Sequence, residues 1–360
     1  MISTSADHIS INNPSVTVGI PAYNEEDHIA RIINEFIENS YSNVIEILVA
    51  DGQSTDRTRE IVEEISRKDN RVKLIENPDQ FQSYGLNRMI AKAKGEIFVR
   101  ADAHCDYARD YIEKCVENLN RPNIKNAGGA ARFLASNLVQ AGTAISVLSV
   151  MGNGGAKHYN PDYEGYSDTV PMGCFWTSDL RALQGFKESN YTNEDAEINY
   201  RIRENLKGKI YISPDIKLWY YPRKRFHQLF MQYFRYGRGR VLTSNAHNGK
   251  IPFRSKAPFI FVGLMTILLL VDQFLLNGLL GSIYILSAVM FLLLLEVFRI
   301  SFKEKNYFKD EVWKNESREA PKPIFVAISA FFVLVIMNTS HFMGYGYQII
   351  KTKFFKAKGW

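Results

Sequence analysis

The sequence predicts an α/β unit with a mainly parallel sheet, followed by a helical region embedded in a membrane. Three observations carry this. Short runs of Val, Ile and Leu alternate with amphipathic helical patterns through the first third of the chain. Polar residues cluster just after those runs, at the strand ends where ligands gather in sheets of this kind. From about residue 257 the chain turns almost wholly apolar, in stretches close to the roughly 20 residues that cross a bilayer.

The strand runs are 16–20, 45–50, 72–75 and 97–99. Between the first two, Ile29, Ile32, Ile33, Phe36 and Ile37 have the i, i+3, i+4, i+7, i+8 spacing of one apolar helix face. A second helix continues through Thr58, Ile61, Val62 and Ile65, with Ser54 or Thr55 as its expected cap. Leu86, Met89 and Ile90 mark a third. Neither a G-x-G-x-x-G after the first strand nor a G-x-x-x-x-G-K-[ST] occurs, which argues against a dinucleotide-binding oxidoreductase and a P-loop NTPase.

Three apolar segments follow, at about 257–276, 279–298 and 323–343. Asn277-Gly278 is a plausible tight turn between the first two, and Asp272 and Glu296 lie near segment ends, where a polar head reaches the interface. Arg235, Arg238, Arg240, Lys250, Arg254 and Lys256 precede the first segment, and Arg299, Lys303, Lys305 and Lys309 follow the second. Both flanks are therefore expected on the cytoplasmic side. A full third span would put Lys351, Lys353, Lys356 and Lys358 outside, against the same rule, so that segment is expected either to turn back at Gly344 or Gly346 or to lie in the interface.

The expected organisation is an N-terminal tail (1–13), a catalytic α/β domain (14–225), a basic and aromatic interfacial segment (226–256) and a transmembrane region (257–360). The net charge of +6 does not point to nucleic acid, because the excess bases sit beside apolar segments, where contact with membrane lipid explains them. The chain opens with no signal-peptide pattern, so the α/β domain is expected in the cytosol. Cys105, Cys115 and Cys174 have no metal-type spacing and read as reduced thiols.

The strand-end motifs are PAYNEE (21–26), DGQSTD (51–56) and RADAH (100–104). If strand geometry continues past residue 99, Asp102 and His104 point the same way. A carboxylate and a neutral imidazole suit Mn²⁺ or Mg²⁺ when water and diphosphate oxygens complete the shell, and the imidazole tilts the choice toward Mn²⁺. The same D-x-H also reads as an ordinary turn. In TNEDAEINYRI (192–202), Thr192 or Asn193 is a candidate helix cap, and Glu194 and Asp195 gain from the helix dipole; a carboxylate there is equally a candidate general base. Glu197 and Arg201 have ion-pair spacing.

PAYNEE, DGQSTDRT, AKGEIFVRADAH, NEDAEINYRIR and QYFRYGRGR, in this order, resemble the motif series of family 2 glycosyltransferases with the GT-A fold. With GNGGAKHY (152–159) and YYPR (220–223), the chain is most similar to their bacterial exopolysaccharide branch, of the succinoglycan glucosyltransferase type. The resemblance covers about residues 14–245. It implies that Pro21, Ala22, Tyr23, Glu25, Asp51, Arg100 and Asp102 bind the nucleotide-sugar, with Asp51 holding the base, usually uracil. It implies that Asp102 and His104 are the metal motif, a departure from the commoner D-x-D, and that Asp195, beside Glu194, is the catalytic base. Gln232, Arg235 and Tyr236 match Q-x-x-R-W with Tyr for Trp, and with Lys157 and His158 are candidates for binding acceptor or diphosphate. The glycine-rich GNGGAKHY stretch reads either as a lid or acceptor loop or as an ordinary surface loop.

Arg223, Lys224 and Arg225, with the Arg235–Arg240 bases and the interleaved aromatic residues Tyr220, Tyr221, Phe226, Phe230, Tyr233 and Phe234, fit an interfacial amphipathic stretch. Tyr163, Tyr166, Trp176 and Trp219 are candidates to stack on sugar rings. The implied function is an inverting, membrane-anchored transfer of sugar from a UDP-sugar to a polyprenyl-linked saccharide. The alternatives are direct transfer to polyprenyl phosphate and a non-catalytic nucleotide-sugar-binding scaffold. A transporter is disfavoured because two or three spans make too small a bundle.

Overall fold

A computed structural model describes residues 12–188, 192–356 and 360; most of the expected N-terminal tail and Lys358 lie outside them. The chain forms two compact units, one running up to Arg132 and resuming over Asn160–Tyr220, the other made of Phe133–Tyr159 and Tyr221–Trp360. This differs from the continuous 14–225 domain. The stretch containing GNGGAKHY belongs with the C-terminal helices, because the helix before it is apolar and buried among them.

In chain order the first unit begins β1 (Val16–Ala22), α1 (Ile29–Ile37), β2 (Val44–Asp51), α2 (Thr58–Ser66), β3 (Val72–Glu76), α3 (Gln82–Lys92), β4 (Ile97–Arg100), β5 (Cys105–Tyr107), α4 (Tyr111–Leu119), β6 (Ile124–Gly128) and β7 (Ala131–Phe133). The second unit interposes α5 (Leu138–Ser146) and α6 (Val150–Asn153). The first resumes with β8 (Gly165–Ser167), β9 (Cys174–Trp176), α7 (Thr177–Ala182), α8 (Glu194–Asn205), β10 (Lys209–Ile212) and β11 (Leu218–Tyr220). The remaining helices are α9 (Phe226–Ala246), α10 (Ala257–Leu275), α11 (Ser282–Lys303), α12 (Lys305–Tyr307) and α13 (Pro323–Lys353).

The main sheet has the order β3-β2-β1-β4-β9-β6-β10-β8. Its first four strands are parallel, as the βαβα alternation predicts, whereas β9 runs antiparallel to both β4 and β6. β1 lies between β2 and β4, with Ala22 opposite Asp51 and Gly19 opposite Arg100, so three of the predicted loops leave the sheet side by side. Gly19 is required there, since a Cβ would collide with the Phe98 ring. Leu48, Ile75, Leu86, Phe98, Phe175, Phe186 and Ile198 belong to one buried core between sheet and helices. All three cysteines are buried and free.

Two capping expectations change. Ser54 and Thr55 do not cap α2: Arg57 takes the N-cap position without a side-chain cap hydrogen bond, and Asp56 just before it turns the chain into the helix, its Oδ1 accepting from Thr58 N at 2.9 Å and from Thr58 Oγ1 at 2.6 Å. At α8, Asn193 takes the N-cap position in the left-handed region at φ 63°, without a side-chain cap hydrogen bond. The Glu197–Arg201 pair forms as spaced, and Arg201 also donates to the carbonyls of Leu183 at 2.6 Å and Gly185 at 2.8 Å.

In the second unit, α10, α11 and α13 are each long and apolar enough to cross a membrane. Asp272 does not reach outward: it is fully buried, and its carboxylate accepts from Leu280 N and Ser282 N, both at 2.7 Å, tying the α10–α11 turn to the start of α11. The third segment neither stops nor turns at Gly344 or Gly346; α13 continues for 31 residues. Its first half packs on α5, where Ser146 Oγ donates to the Ala330 carbonyl at 3.1 Å and Ser329 Oγ to the Leu138 carbonyl at 2.6 Å. Its second half packs on α9, where Arg238 Nε donates to Gln348 Oε1 at 3.0 Å. The expected interfacial segment is therefore largely a helix packed on another helix.

Gly344 allows this close approach, because a Cβ at that position would collide with the Phe234 carbonyl oxygen. Replacing Gly344 by Val is expected to push α9 from α13 and to destabilise the chain by about 1–3 kcal/mol or more. A thermal melt in detergent that matches wild type would refute this packing.

Candidate active site

The loop after β1 and the loop after β2 are hydrogen-bonded to each other. Asn24 N donates to Ser54 Oγ at 2.9 Å, Glu25 N to Thr58 Oγ1 at 2.7 Å, Glu26 N to Asp56 Oδ2 at 3.1 Å, and Thr55 N to Asn24 Oδ1 at 2.8 Å. Asn24 makes the turn at φ 54°, a conformation Asn tolerates better than most residues. PAYNEE and DGQSTD are thus one structural unit, with Tyr23 exposed at its rim and Pro21 and Ala22 inside the sheet end. Asp51 is only 1% exposed, and both carboxylate oxygens accept from Ser54 N at 3.3 Å. In this conformation it shapes the loop.

Beyond β4, strand geometry stops at Arg100. Residues 103 and 104 form a turn closed by Cys105 N donating to the Asp102 carbonyl at 3.2 Å, so the two-residue alternation does not orient Asp102 and His104. Tyr107 holds this turn, its hydroxyl accepting from Asp102 N at 2.9 Å. Its ring is buried against Tyr111 and Phe36, with centroids 4.7 and 5.0 Å away. Asp102 Oδ1 accepts from Gln82 Nε2 at 2.9 Å, while among the described residues no hydrogen bond reaches Oδ2. His104 is partly exposed, with its Nδ1 3.7 Å from Glu25 Oε1 and its ring 5.5 Å from that of Tyr220.

Arg100 is the centre of the site. Its side chain is 2% exposed and pairs with Glu194 at 2.9 Å, with Asp102 at 3.4 Å and, most tightly, with Asp195. Burial works against the guanidinium charge, but Asp195, Asp102 and Glu194 outweigh it and keep Arg100 protonated. A side chain so enclosed positions the three carboxylates around it. Asp195, in the first turn of α8, also accepts from Met172 N at 3.3 Å. Its side chain keeps 22% exposure. Burial pushes its carboxyl up to about 8; Arg100 pulls it down, and Glu194 and Asp102 push it up again.

Three carboxylates facing one guanidinium leave an excess of negative charge, which suits a divalent cation. Among the described residues no group of three or more His, Cys, Asp or Glu could hold a metal. The donor set fits an ion held by few protein ligands and completed by diphosphate oxygens and water, with Asp102 Oδ2 and the His104 imidazole available.

The other expected residues belong to other elements. Gln232, Arg235 and Tyr236 are on α9, where Gln232 Nε2 donates to the Tyr236 hydroxyl at 3.0 Å, and Lys157 and His158 are in the 3₁₀ turn Lys157–Tyr159; all five belong to the second unit. Trp176 is buried core in β9, whereas Tyr166 is exposed with its ring edge-on to Tyr211. Sequence reasoning missed Gln82, Tyr107 and Met172. Gln82 opens α3 after a strand and was open to the strand-end rule; Tyr107 and Met172 have no sequence signal.

Comparison with known proteins fits this geometry. Residues 17–177 match the family model described as Glycosyl transferase family 2. The chain is 32% identical over 250 residues to the succinoglycan biosynthesis protein ExoA of Rhizobium meliloti, covering 69% of this chain and 76% of that protein. It is 26% identical over 300 residues to the dolichyl N-acetyl-alpha-D-glucosaminyl phosphate 3-beta-D-2,3-diacetamido-2,3-dideoxy-beta-D-glucuronosyltransferase of Methanococcus voltae, covering 81% of this chain and 88% of that one. In fold it is similar to the mannosyltransferase PcManGT of Pyrobaculum calidifontis, solved in complex with GDP-Man and Mn²⁺, at a TM-score of 0.55, with 18% identity and coverage of 98% and 91% of the two chains.

Proposed function

The chain belongs to glycosyl transferase family 2 and is a glycosyltransferase of GT-A-like fold, and from that premise we propose that it transfers a sugar, with inversion, from a UDP-sugar to a lipid-linked saccharide during polysaccharide assembly. The observation that carries this reading is Asp195, a partly exposed carboxylate of raised pKa fixed by the buried Arg100. Asp195 accepts the proton of the acceptor hydroxyl as its oxygen bonds to the anomeric carbon. The bond to the donor diphosphate breaks on the opposite face, and this single displacement inverts the configuration.

Arg100 holds Asp195 beside Asp102 and Glu194, and Tyr107 and Gln82 hold Asp102. Pro21, Ala22, Tyr23 and Glu25 form the nucleotide loop, which Asp51 shapes from within. A divalent ion, Mn²⁺ or Mg²⁺, bound by Asp102 and His104 would offset charge on the departing diphosphate. The lipid-linked acceptor is supported by the dolichyl phosphate acceptor in the name of the Methanococcus voltae relative, polysaccharide assembly by the name of the Rhizobium meliloti one, and the membrane setting by α10, α11 and α13. The basic residues flanking α10 and α11 favour a catalytic unit on the cytoplasmic face of the plasma membrane.

The test is nucleotide release and product formation by the full chain in detergent with lipid extract, across UDP- and GDP-sugars. Turnover with one UDP-sugar is expected, abolished by EDTA and restored by Mn²⁺ or Mg²⁺. In His104→Ala the metal concentration for half activity should rise at least the roughly tenfold that loss of an outer-shell partner costs. Full activity in EDTA would refute the metal assignment. Release of the transferred sugar by mild acid as a free monosaccharide, not as part of an oligosaccharide, would mean direct transfer to polyprenyl phosphate.

A further inference from the structure

Arg100 joins Asp102 to Asp195 by charge, and a second connection between the same two residues carries no charge. The Tyr107 hydroxyl, which accepts from Asp102 N at 2.9 Å, donates its own O–H to Met172 Sδ at 3.0 Å. Met172 N in turn donates to Asp195 Oδ2 at 3.3 Å. This path runs from the turn after β4 to the first turn of α8, and both of its middle residues are buried.

The backbone at Met172 is unusual. Met172 lies at φ 58° and Gly173 at φ 90°, and a side chain other than Gly, Asn or Asp seldom takes the left-handed region. The surrounding chain imposes it. On one side of Met172, Arg100 N donates to the Gly173 carbonyl at 3.1 Å. On the other, Asn199 Nδ2 donates to Thr169 Oγ1 at 2.9 Å and to the Val170 carbonyl at 3.2 Å, while its own Oδ1 accepts from Asn126 Nδ2 at 2.7 Å. Asn199 stands four residues after Asp195 on α8, so the segment carrying Met172 is fastened both to the end of β4 and to the helix of Asp195. A strained residue fixed this firmly beside reacting groups points to a role in the reaction.

The two oxygens of Asp195 have different partners, Arg100 on Oδ1 and Met172 N on Oδ2, and together these set the plane of the carboxylate. The ion pair weakens when Asp195 takes up the acceptor proton, because that attraction depends on its charge. Hydrogen bonds from neutral groups hold in both states.

We propose that Met172 is a positioning residue: with Tyr107 it forms an uncharged bridge that fixes the Asp102 turn relative to Asp195. This rests on the reading of Asp195 as base and Asp102 as metal ligand.

The experiment compares Met172→Leu, Met172→Gln, Tyr107→Phe and the double variant Tyr107→Phe with Met172→Leu, each as the full chain in detergent. It reads kcat with the UDP-sugar that the wild type turns over, Mn²⁺ binding in the presence of UDP by electron paramagnetic resonance, and the thermal melt. Met172→Leu should lower kcat about three- to tenfold at unchanged donor KM and weaken Mn²⁺ binding by a similar factor, although Met172 meets the Asp102 turn only through Tyr107. The double variant should match Tyr107→Phe alone, because its second change removes a bond already broken. Met172→Gln, which offers Tyr107 an amide oxygen, should restore kcat to within about threefold of wild type. A packing role predicts the reverse order, with Leu tolerated better than a buried amide. That order, or wild-type kcat and Mn²⁺ binding in Met172→Leu and Tyr107→Phe, overturns the bridge. An inactive Asp195→Asn beside fully active bridge variants keeps the base and removes the bridge. Full activity in Asp195→Asn beside weakened Mn²⁺ binding in Met172→Leu removes the base and keeps the bridge.

Discussion

Arg100→Gln is expected to abolish measurable transfer and to lower stability by about 3–5 kcal/mol, the usual cost of stripping one partner from a buried ion network. Glutamine leaves Asp102, Glu194 and Asp195 around a side chain with no charge to offset theirs. The defect should ease as pH falls, because protonating the carboxylates removes the uncompensated charge. Arg100→Lys should regain part of the stability but little activity, since an ammonium cannot reproduce the forked geometry that meets three carboxylates. Denaturant unfolding alongside initial rates decides this. A variant of wild-type stability with only a raised KM for donor would return Arg100 to the nucleotide-binding role that its sequence position suggested.

The second large effect concerns Asp195. Asp195→Asn should lower kcat about 10²–10⁴-fold, the range for loss of a general base. In the wild type, kcat/KM should rise with pH through a limb set by the Asp195 carboxyl, which burial pushes up to about 8 against the pull of Arg100. Bound divalent cation should move that limb to lower pH by favouring the carboxylate. Stability has the opposite sign. Because the folded carboxyl holds its proton more tightly than the ordinary value of 3.8, the stability it contributes is fully present below that value and is lost as pH rises through about 8. The asparagine variant, which cannot ionise, should show a flatter stability profile across this window. A pH-independent wild-type rate from 6 to 9 would remove Asp195 from the role of base.

Much of the first unit was legible because its signals are local. Ile29, Ile32, Ile33 and Phe36 are the buried face of α1, as their spacing required, and β1 to β4 are parallel as alternation required. The Glu197–Arg201 pair needed only helical spacing. Legibility failed where a partner distant in sequence decided the outcome. Ser54 and Thr55 have good capping chemistry, but Asn24 from another loop engages both, and Arg57 takes the N-cap position. Asp272, near the end of an apolar segment, reads as an interfacial residue until the turn folds back and offers it two backbone amides.

The sequence by itself determined which residue types stand at the strand ends, the order of the motifs and the length of the apolar helices. These depend on periodicity and composition within a few residues of chain. Only the tertiary structure decided that Arg100 would be enclosed by carboxylates from its own strand end and from α8, 95 positions away. It also decided that Asp102 and His104 would sit in a turn, and that α13 would be covered by α5 and α9 along its length. The physical reason is that burial and charge pairing are properties of space. A guanidinium becomes a positioning group, and a carboxyl a base of raised pKa, only when the folded chain encloses the first and withdraws most of the water from the second.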